Sequence, residues 1–242
     1  MKKVLLPIFA ISFALFSCSS DEGGGSTQGS SNGLKLVRIV ETDLDDNSVL
    51  TSTLSYTDNF ISKVEGTEST GNTYKTEFVY ENRRLARENH YENSASTGYI
   101  TLSYTGDRVT STASREDGIT FTTNYTYNSG GFVINEKQYR DGTLDDDRDY
   151  GHDSSGNIVS YAYDAGSANY TYDTGKNPFS LVYSDAVMKV SGTGFSKNNI
   201  TKETVSNGTV RNYTYTYNSE GYPTEVIKTD DFSTTKTNYY YE

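Results

Sequence analysis

Apolar and aromatic residues alternate with polar ones over short stretches from residue 34 onward. In one stretch, Tyr213, Tyr215 and Tyr217 occupy every second position. A period of two places such side chains on one face of a β-strand. Turn-forming pairs such as Asp141-Gly142 separate the stretches, and Asp-Gly favours tight hairpin turns because both central positions need positive φ. The pattern therefore predicts successive β-hairpins.

The hairpins follow a repeat. The phrase LSYTDNFISKV from Leu54 returns as LSYTGDRVTST from Leu102, and copies place an aromatic residue before a turn at intervals of 20 to 25 residues. The aligned positions are Tyr56, Tyr80, Tyr104, Tyr127, His152, Tyr172, Phe195, Tyr217 and Tyr241. Such periods indicate an array of one supersecondary unit. We predict an all-β fold, an antiparallel meander of about 18 strands from tandem hairpin repeats of ~23 residues, curled into a roll, spiral or two-layer sheet. Whether the sheet is closed or open is left undecided.

Residues 1–17 are typical of a signal peptide. Lys2 and Lys3 precede an apolar stretch, residues 4–16, that is too short to span a bilayer comfortably. The segment ending at Cys18 resembles a lipobox, which implies a lipid on the Cys18 thiol and cleavage before it. An ordinary leader with an incidental cysteine is the alternative. We expect residues 18–33 to form the lipidated cysteine and a flexible Gly/Ser-rich tether, and residues 34–242 a single β-repeat domain.

Several segments resemble known families. HDSSGNI, residues 152–158, and YDTGKNP, residues 172–178, resemble the tyrosine-aspartate repeats of Rhs-type proteins, which build β-sheet shells. The whole pattern is also similar to repetitive Bacteroidota lipoproteins of unknown function. Residues 19–22, SSDE, resemble the sorting signals of surface lipoproteins in that group. These resemblances imply a β-sheet fold and an outer-membrane, lipid-anchored location, with the side of the membrane left open, and they imply no activity.

Charge and cysteine content exclude one class of partner and two kinds of site. The formal net charge is −11, and loss of Lys2 and Lys3 with the leader takes it to near −13. Such a surface repels phosphate backbones, so we exclude nucleic acid as a partner. Cys18 is the single cysteine, which leaves no disulfide and no cysteine metal site.

Two motif matches are interpreted as accidental. GSSNG, residues 29–33, fits a hydrolase nucleophile elbow around Ser31, but it lies in the tether, where no strand precedes it and no helix follows. Ser233 and Lys236 fit a Ser-x-x-Lys pattern, but positions three apart in a strand face opposite sides. His90 and His152 lie in no metal-binding or catalytic pattern, and His152 is interpreted as a substitute for the repeated tyrosine. We predict no enzymatic activity and no cofactor.

An acidic run offers a weak candidate for Ca²⁺. Asp145, Asp147 and Asp149 supply the oxygen ligands that hard cations prefer. In a strand, however, they would be spaced by ~6.6 Å along one face. A solvated edge that discourages aggregation between sheets is the alternative.

The tyrosine rows are the remaining candidate for function. Exposed, they could stack on sugar rings or form a protein interface, but their regular recurrence favours packing within the sheet. We predict a non-enzymatic surface or outer-membrane lipoprotein that acts as a binding or scaffolding module, with a glycan or protein partner at the cell surface. A glycan-binding accessory lipoprotein and a hydrolase are the alternatives. A membrane barrel is disfavoured because strands such as residues 75–77 lack the apolar alternation of a lipid-facing band.

Overall fold

The computed structural model describes residues 33–116 and 118–242, and these residues form sixteen strands and three short helical segments. The strands are β1 (Leu36–Asp43), β2 (Val49–Thr57), β3 (Phe60–Glu68), β4 (Thr73–Glu81), β5 (Arg84–Glu92), β6 (Ala95–Thr105), β7 (Arg108–Glu116), β8 (Ile119–Tyr127), β9 (Val133–Arg140), β10 (Thr143–His152), β11 (Ile158–Tyr163), β12 (Gly166–Lys176), β13 (Asn198–Val205), β14 (Val210–Tyr217), β15 (Pro223–Thr229) and β16 (Thr234–Tyr241). Between β12 and β13 lie a 3-10 turn (Pro178–Leu181), the helix α1 (Asp185–Met188) and a second 3-10 turn (Thr193–Phe195).

The strands form a closed barrel. Each strand pairs antiparallel with its neighbours in the chain, and β1 also pairs with β16, with Leu36 opposite Tyr241. The Lys35 backbone N–H donates to the Glu242 carbonyl at 2.6 Å and extends this seam. The predicted antiparallel meander is confirmed, and the curled sheet, whose closure the sequence left undecided, closes on itself as a barrel. Closure gives every strand two partners and so removes the exposed edges.

The strand count is sixteen because one predicted hairpin is replaced by an insertion, residues 177–197, which we call the plug. This segment lacks the alternation of the strands. Pro178 lies in its first 3-10 turn, and Asp185, which the repeat spacing assigns to a hairpin turn, begins α1. Phe195, which fits the aromatic spacing, lies in the second 3-10 turn and packs 4.7 Å from the Phe179 ring. The prediction of about 18 strands was therefore too high by one hairpin.

The barrel has two distinct ends. At the proximal end lie the entry of the chain at residue 33, the C-terminus, the plug and the turns at 58–59, 82–83, 106–107, 128–132, 153–157 and 218–222. At the distal end lie the turns between β1 and β2, between β3 and β4, and so on to β15 and β16. The Asp141-Gly142 turn has positive φ at both residues, 46° and 83°, as its hairpin prediction requires.

The plug fills part of the lumen. Its buried side chains Phe179, Val182, Tyr183, Val187 and Met188 form one apolar cluster with the inner faces of β1 to β5. Val190 joins a second cluster on the inner faces of strands from β7 to β13. Barrels of this strand number otherwise enclose an open channel. Within the described residues, no helix has the length and apolarity needed to cross a bilayer.

Candidate functional site

A belt of paired residues lines the inside of the proximal end. Tyr56 lies opposite Ile61 across the β2–β3 hairpin, with a register shift beside the pair. The same arrangement recurs for Tyr80 and Leu85, Tyr104 and Val109, Tyr127 and Val133, His152 and Ile158, Tyr172 and Ile200, Tyr217 and Pro223, and Tyr241 and Leu36. A β-bulge redirects side chains locally. The repeat therefore encodes a continuous inner ring of aromatic and aliphatic residues.

Five of the eight aromatic residues of this belt form a hydrogen bond to the backbone of the preceding strand, whereas the Tyr172 hydroxyl pairs with Ser196 and the Tyr217 hydroxyl with Asp173. The Tyr104 hydroxyl donates to the Leu85 carbonyl at 2.9 Å. The equivalent bonds join Tyr56 to the Leu36 carbonyl, Tyr127 to the Val109 carbonyl and Tyr241 to the Pro223 carbonyl, at 2.6 to 2.7 Å. His152 Nε2 lies 2.8 Å from the Val133 carbonyl oxygen. The packing interpretation of the tyrosines, and that of His152 as a substitute tyrosine, are confirmed.

A cavity of about 310 Å³ lies between the plug and one side of the barrel wall. The plug contributes Asn177, Pro178, Phe179, Thr193 and Gly194. The inner faces of β1 and β12 to β16 contribute Glu41, Tyr170, Asn199, Ile200, Glu203, Tyr213, Tyr215, Val226, Lys228, Thr235, Thr237 and Tyr239. We call this cavity the lumenal pocket. Its volume lies at the small end of the range for ligand sites in proteins.

The two carboxylates of the lumenal pocket differ in their partners. Glu203 accepts hydrogen bonds from the Tyr170 hydroxyl at 3.3 Å and from Arg211 Nη1 at 2.8 Å. Glu41 forms no hydrogen bond or ion pair within the described part of the chain. Burial raises the pKa of Glu41 to about 6, and the charge of Lys228 opposes this rise. Glu41 is therefore available to a ligand, whereas Glu203 is held by its neighbours.

The hydroxyl groups of the pocket tyrosines stay protonated. Burial raises the pKa of both Tyr215 and Tyr239 above the ordinary tyrosine value. Neither hydroxyl forms a hydrogen bond to another group in residues 33–116 and 118–242. Each can therefore donate to, and accept from, a molecule in the pocket.

Two further buried carboxylates lie elsewhere in the lumen. Glu136 accepts hydrogen bonds from Arg148 Nη1 at 3.0 Å and from the Tyr150 hydroxyl at 3.1 Å. Glu88 Oε2 has no hydrogen-bond partner in the described residues, and His90 Nε2 lies 3.8 Å from it. Burial raises the pKa of Glu88 to about 8 and lowers the pKa of His90 to about 4. Both groups are therefore mostly neutral at pH 7.

The acidic run lies on β10 and is not gathered around one point. Asp147 accepts from Lys137 Nζ and from Asn135 Nδ2, both at 2.7 Å, and Asp149 accepts from the same Asn135 nitrogen at 3.0 Å. Asp145 is exposed. In the described ranges, no group of three or more His, Cys, Asp and Glu side chains could hold a metal ion. The oxygens of Asp147 are thus already paired with protein donors.

The remaining candidate residues from the sequence analysis do not form a common site in the described part of the chain. Ser233 Oγ donates to Asp230 at 3.3 Å, whereas Lys236 forms an ion pair with Glu225, so Ser233 and Lys236 have separate partners. Cys18, Ser31, the leader and the tether up to residue 32 lie outside the described residues.

The pocket residues were missed by the sequence analysis. Glu41, Lys228 and Tyr239 come from three strands, and only the barrel register brings them together. A usable signal was present, because a charged residue at an inward position interrupts the apolar face of its strand. That signal becomes readable only after the inward face of each strand is known.

These features define the fold as a closed antiparallel β-barrel with an internal plug. The structure is similar to the crystal structure of a porin-like protein from Bacteroides uniformis, with a TM-score of 0.57 and 15% identity over 86% of this chain and 98% of that chain. It also matches a porin-like protein from Bacteroides vulgatus, with a TM-score of 0.39 and 9% identity over 86% and 98%. A third match is the Photorhabdus luminescens Tc holotoxin pore, with a TM-score of 0.23 and 13% identity over 80% of this chain and 9% of that chain.

The similarity to the Bacteroides uniformis protein indicates a shared fold. The TM-scores of the other two matches are too low to support a structural relationship. No protein-family model and no curated protein matches the sequence.

Proposed function

We propose that this chain is a non-enzymatic, lipid-anchored binding protein of the bacterial outer membrane, and that its ligand occupies the lumenal pocket. The lumenal pocket supports this proposal most strongly. It is a cavity of about 310 Å³ in which Glu41, Tyr215 and Tyr239 have hydrogen-bonding groups that no described residue uses. Buried polar groups are normally satisfied, so such a set favours a bound molecule or ordered water.

The two ends of the barrel support an anchored arrangement. Residue 33, where the described part of the chain begins, lies at the proximal end, which also holds the plug. Glu41, Lys228 and Thr235 lie within two residues of the distal ends of their strands. With the anchor at Cys18, the plugged end would be the tethered end, and the pocket would extend toward the end away from the anchor.

The outer wall favours a barrel that stands outside the bilayer. Lys63 and Glu65 in the middle of β3 lie opposite Glu77 and Lys75 of β4, and both sets of side chains are directed outward. They form ion pairs within each strand, at 2.8 and 2.7 Å. A membrane barrel needs an outward apolar band ~25 Å tall. The porin-like description of the Bacteroides uniformis protein supports an outer-membrane or surface location, and the lipid anchor would supply the membrane attachment.

The closed sheet changes how a binding surface would be presented. The tyrosine belt faces the lumen, where the hydroxyls of Tyr56, Tyr104 and Tyr127 bond to backbone carbonyls, so it is not an outer platform for a partner. A hydrolase is the rival function, and one that used paired carboxylates would need two available groups. Glu203 is already bound by Arg211 and Tyr170, which favours recognition over catalysis.

The test is a ligand screen with a variant that fills the pocket. A Cβ atom placed on Gly194 would meet no atom within 4 Å, so Gly194→Phe can place a ring in the cavity. The full chain, purified in detergent, is screened by thermal shift against small polar, charged and apolar molecules. We expect at least one class to raise Tm in the parent. The shift should disappear in Gly194→Phe and persist in Thr53→Phe, a control on the exposed outer face of β2.

Two outcomes would contradict the proposal. One is a shift that is equal in the parent and in Gly194→Phe, which would place binding elsewhere. The other is turnover of a substrate in a parallel activity screen with and without divalent metal, which would favour the hydrolase.

A further inference from the structure

The lumenal pocket carries both signs of charge close together. Glu41 and Lys228 both line it, and the Lys228 charge acts on the Glu41 carboxyl. Neither side chain forms an ion pair or hydrogen bond in the described part of the chain. Glu203, the second carboxylate, is neutralised by Arg211. A cationic ligand would meet the charge of Lys228 and an anionic ligand would meet the charge of Glu41, so the charge pattern favours a neutral ligand.

The same pocket needs a ligand rich in hydrogen-bonding groups. Glu41 can only accept when ionised, Lys228 can only donate, and the Tyr215 and Tyr239 hydroxyls can do either. An apolar molecule would displace water and leave these groups without partners, which is unfavourable. Hydroxyl groups can serve all of them because each hydroxyl both donates and accepts.

The walls between these polar groups are aromatic and apolar. Tyr170, Tyr213, Phe179, Ile200 and Val226 line the pocket beside Tyr215 and Tyr239. Aromatic rings pack well against ligand faces that carry C–H groups, while their hydroxyls bind at the edges. A sugar ring has C–H faces and a rim of hydroxyls. The volume of about 310 Å³ is near the lower limit for ligand sites, which suits one ring better than a chain.

We propose that the lumenal pocket binds one neutral sugar ring, with Glu41 and Lys228 bonding its hydroxyls and the tyrosines covering its faces. This inference rests on the proposed binding function and names its ligand class. The ring could be a free monosaccharide or the terminal residue of a longer glycan that enters from the distal side. In both cases the pocket would bind a single sugar ring.

The test is calorimetric titration of the full chain in a detergent without a sugar headgroup. The probes are glucose, galactose, mannose and N-acetylglucosamine, each with an oligosaccharide that ends in the same ring. Comparison probes are choline as a cation, glucuronate as an anion and cyclohexanol as a ring with a single hydroxyl. We expect at least one neutral sugar to bind more tightly than all three comparison probes. Tighter binding of the oligosaccharide than of its monosaccharide would identify a glycan end, and the reverse would identify a free sugar.

Matched variants locate the sugar. Glu41→Gln replaces a charged carboxylate acceptor with an amide donor, and Tyr239→Phe removes a hydroxyl, each with little change in the size of the pocket, and each should weaken sugar binding by about 5- to 50-fold. Their controls are Glu65→Gln and Tyr240→Phe, which alter outward-facing residues, the second one adjacent to Tyr239 in β16. The controls should bind as the parent does. Equal binding in Glu41→Gln, Tyr239→Phe and the parent would overturn the inference.

The results separate this inference from the proposed function. If only choline, glucuronate or cyclohexanol binds, and Gly194→Phe abolishes that binding, the sugar inference is wrong and the binding function stands. If no probe of any class binds the parent, and the wider screen above also gives no shift, both are wrong.

Discussion

Glu88 allows a direct test of how burial inside the barrel affects the ionisation of a carboxyl group. Its carboxyl is fully buried on β5, and its Oε2 atom lacks a hydrogen-bond partner among the described residues. Burial raises its pKa from 4.5 to about 8. The folded chain therefore holds this proton more tightly than the unfolded chain does. Below pH ~4.5 the group is neutral in both states, and folding stability is lost as pH rises from there through about 8.

The magnitude follows from the pKa. At 1.36 kcal/mol per pKa unit, the ionised Glu88 carboxylate destabilises the fold by up to about 5 kcal/mol. Glu88→Gln removes the ionisation and nearly keeps the shape. The difference in unfolding free energy, variant minus parent, should grow by up to about 4 kcal/mol between pH 5 and pH 9. For a chain of this size this corresponds to a difference in Tm on the order of 10 °C.

The assay is thermal unfolding of both proteins, followed by circular dichroism from pH 5 to pH 9. His90 has a pKa lowered to about 4 by burial and is present in both proteins, so its titration largely cancels in the difference. The matched control is Glu136→Gln, because Glu136 is equally buried but bound to Arg148. Burial also raises the pKa of Glu136, to about 7 in spite of the Arg148 charge, so the difference for this variant should grow in the same direction by a smaller amount, about 2–3 kcal/mol between pH 5 and pH 9. A Glu88→Gln difference that is flat with pH, or that shrinks toward pH 9, would show that ionisation of Glu88 does not destabilise the fold.

Three further predictions concern the anchor and the belt. Cys18→Ser should move the chain from the membrane fraction to a soluble fraction with unchanged Tm, and unchanged fractionation of the exported variant would contradict the lipid anchor. Tyr104→Phe should lose about 1 kcal/mol, because the bond to the Leu85 carbonyl disappears. Tyr104→Ala should lose about 2–4 kcal/mol, and a Tm within a degree of the parent for both variants would argue against packing. Gly175→Ala should destabilise by about 1–3 kcal/mol, because its Cβ would lie 2.5 Å from the Tyr217 ring, whereas Gly194→Ala, with open space around its Cβ, should melt as the parent does.

The repeat made the strands and the belt predictable. Each copy fixes one aromatic residue before a turn, and in five copies this residue bonds to the preceding strand, even where the aromatic is His152. The pattern could be extrapolated because each hairpin depends mainly on its immediate neighbours. The extrapolation was wrong only at the plug, where Phe195 matched the spacing but packs against Phe179 and Tyr183 in a non-strand segment.

Closure and the pocket could not be predicted in the same way. The pairing of Leu36 with Tyr241 joins the first strand to the last, and hydrophobic periodicity is the same in an open and in a closed sheet. The pocket depends on that closure, since Glu41 of β1 faces Tyr239 and Lys228 only because β1 lies beside β16. Its composition is therefore a property of the register and of the plug.

Fluorine NMR of the chain labelled with 3-fluorotyrosine would show whether a bound molecule lies in the lumen. Signals are assigned by single Tyr→Phe variants, and the neutral sugar that binds most tightly is titrated to saturation. We expect the resonances of Tyr215 and Tyr239 to shift, and those of Tyr240 and Tyr91, which lie on the outer wall, to stay unchanged. Shifts confined to the outer-wall tyrosines, or no shift of Tyr215 and Tyr239 at saturation, would contradict a ligand site in the lumen.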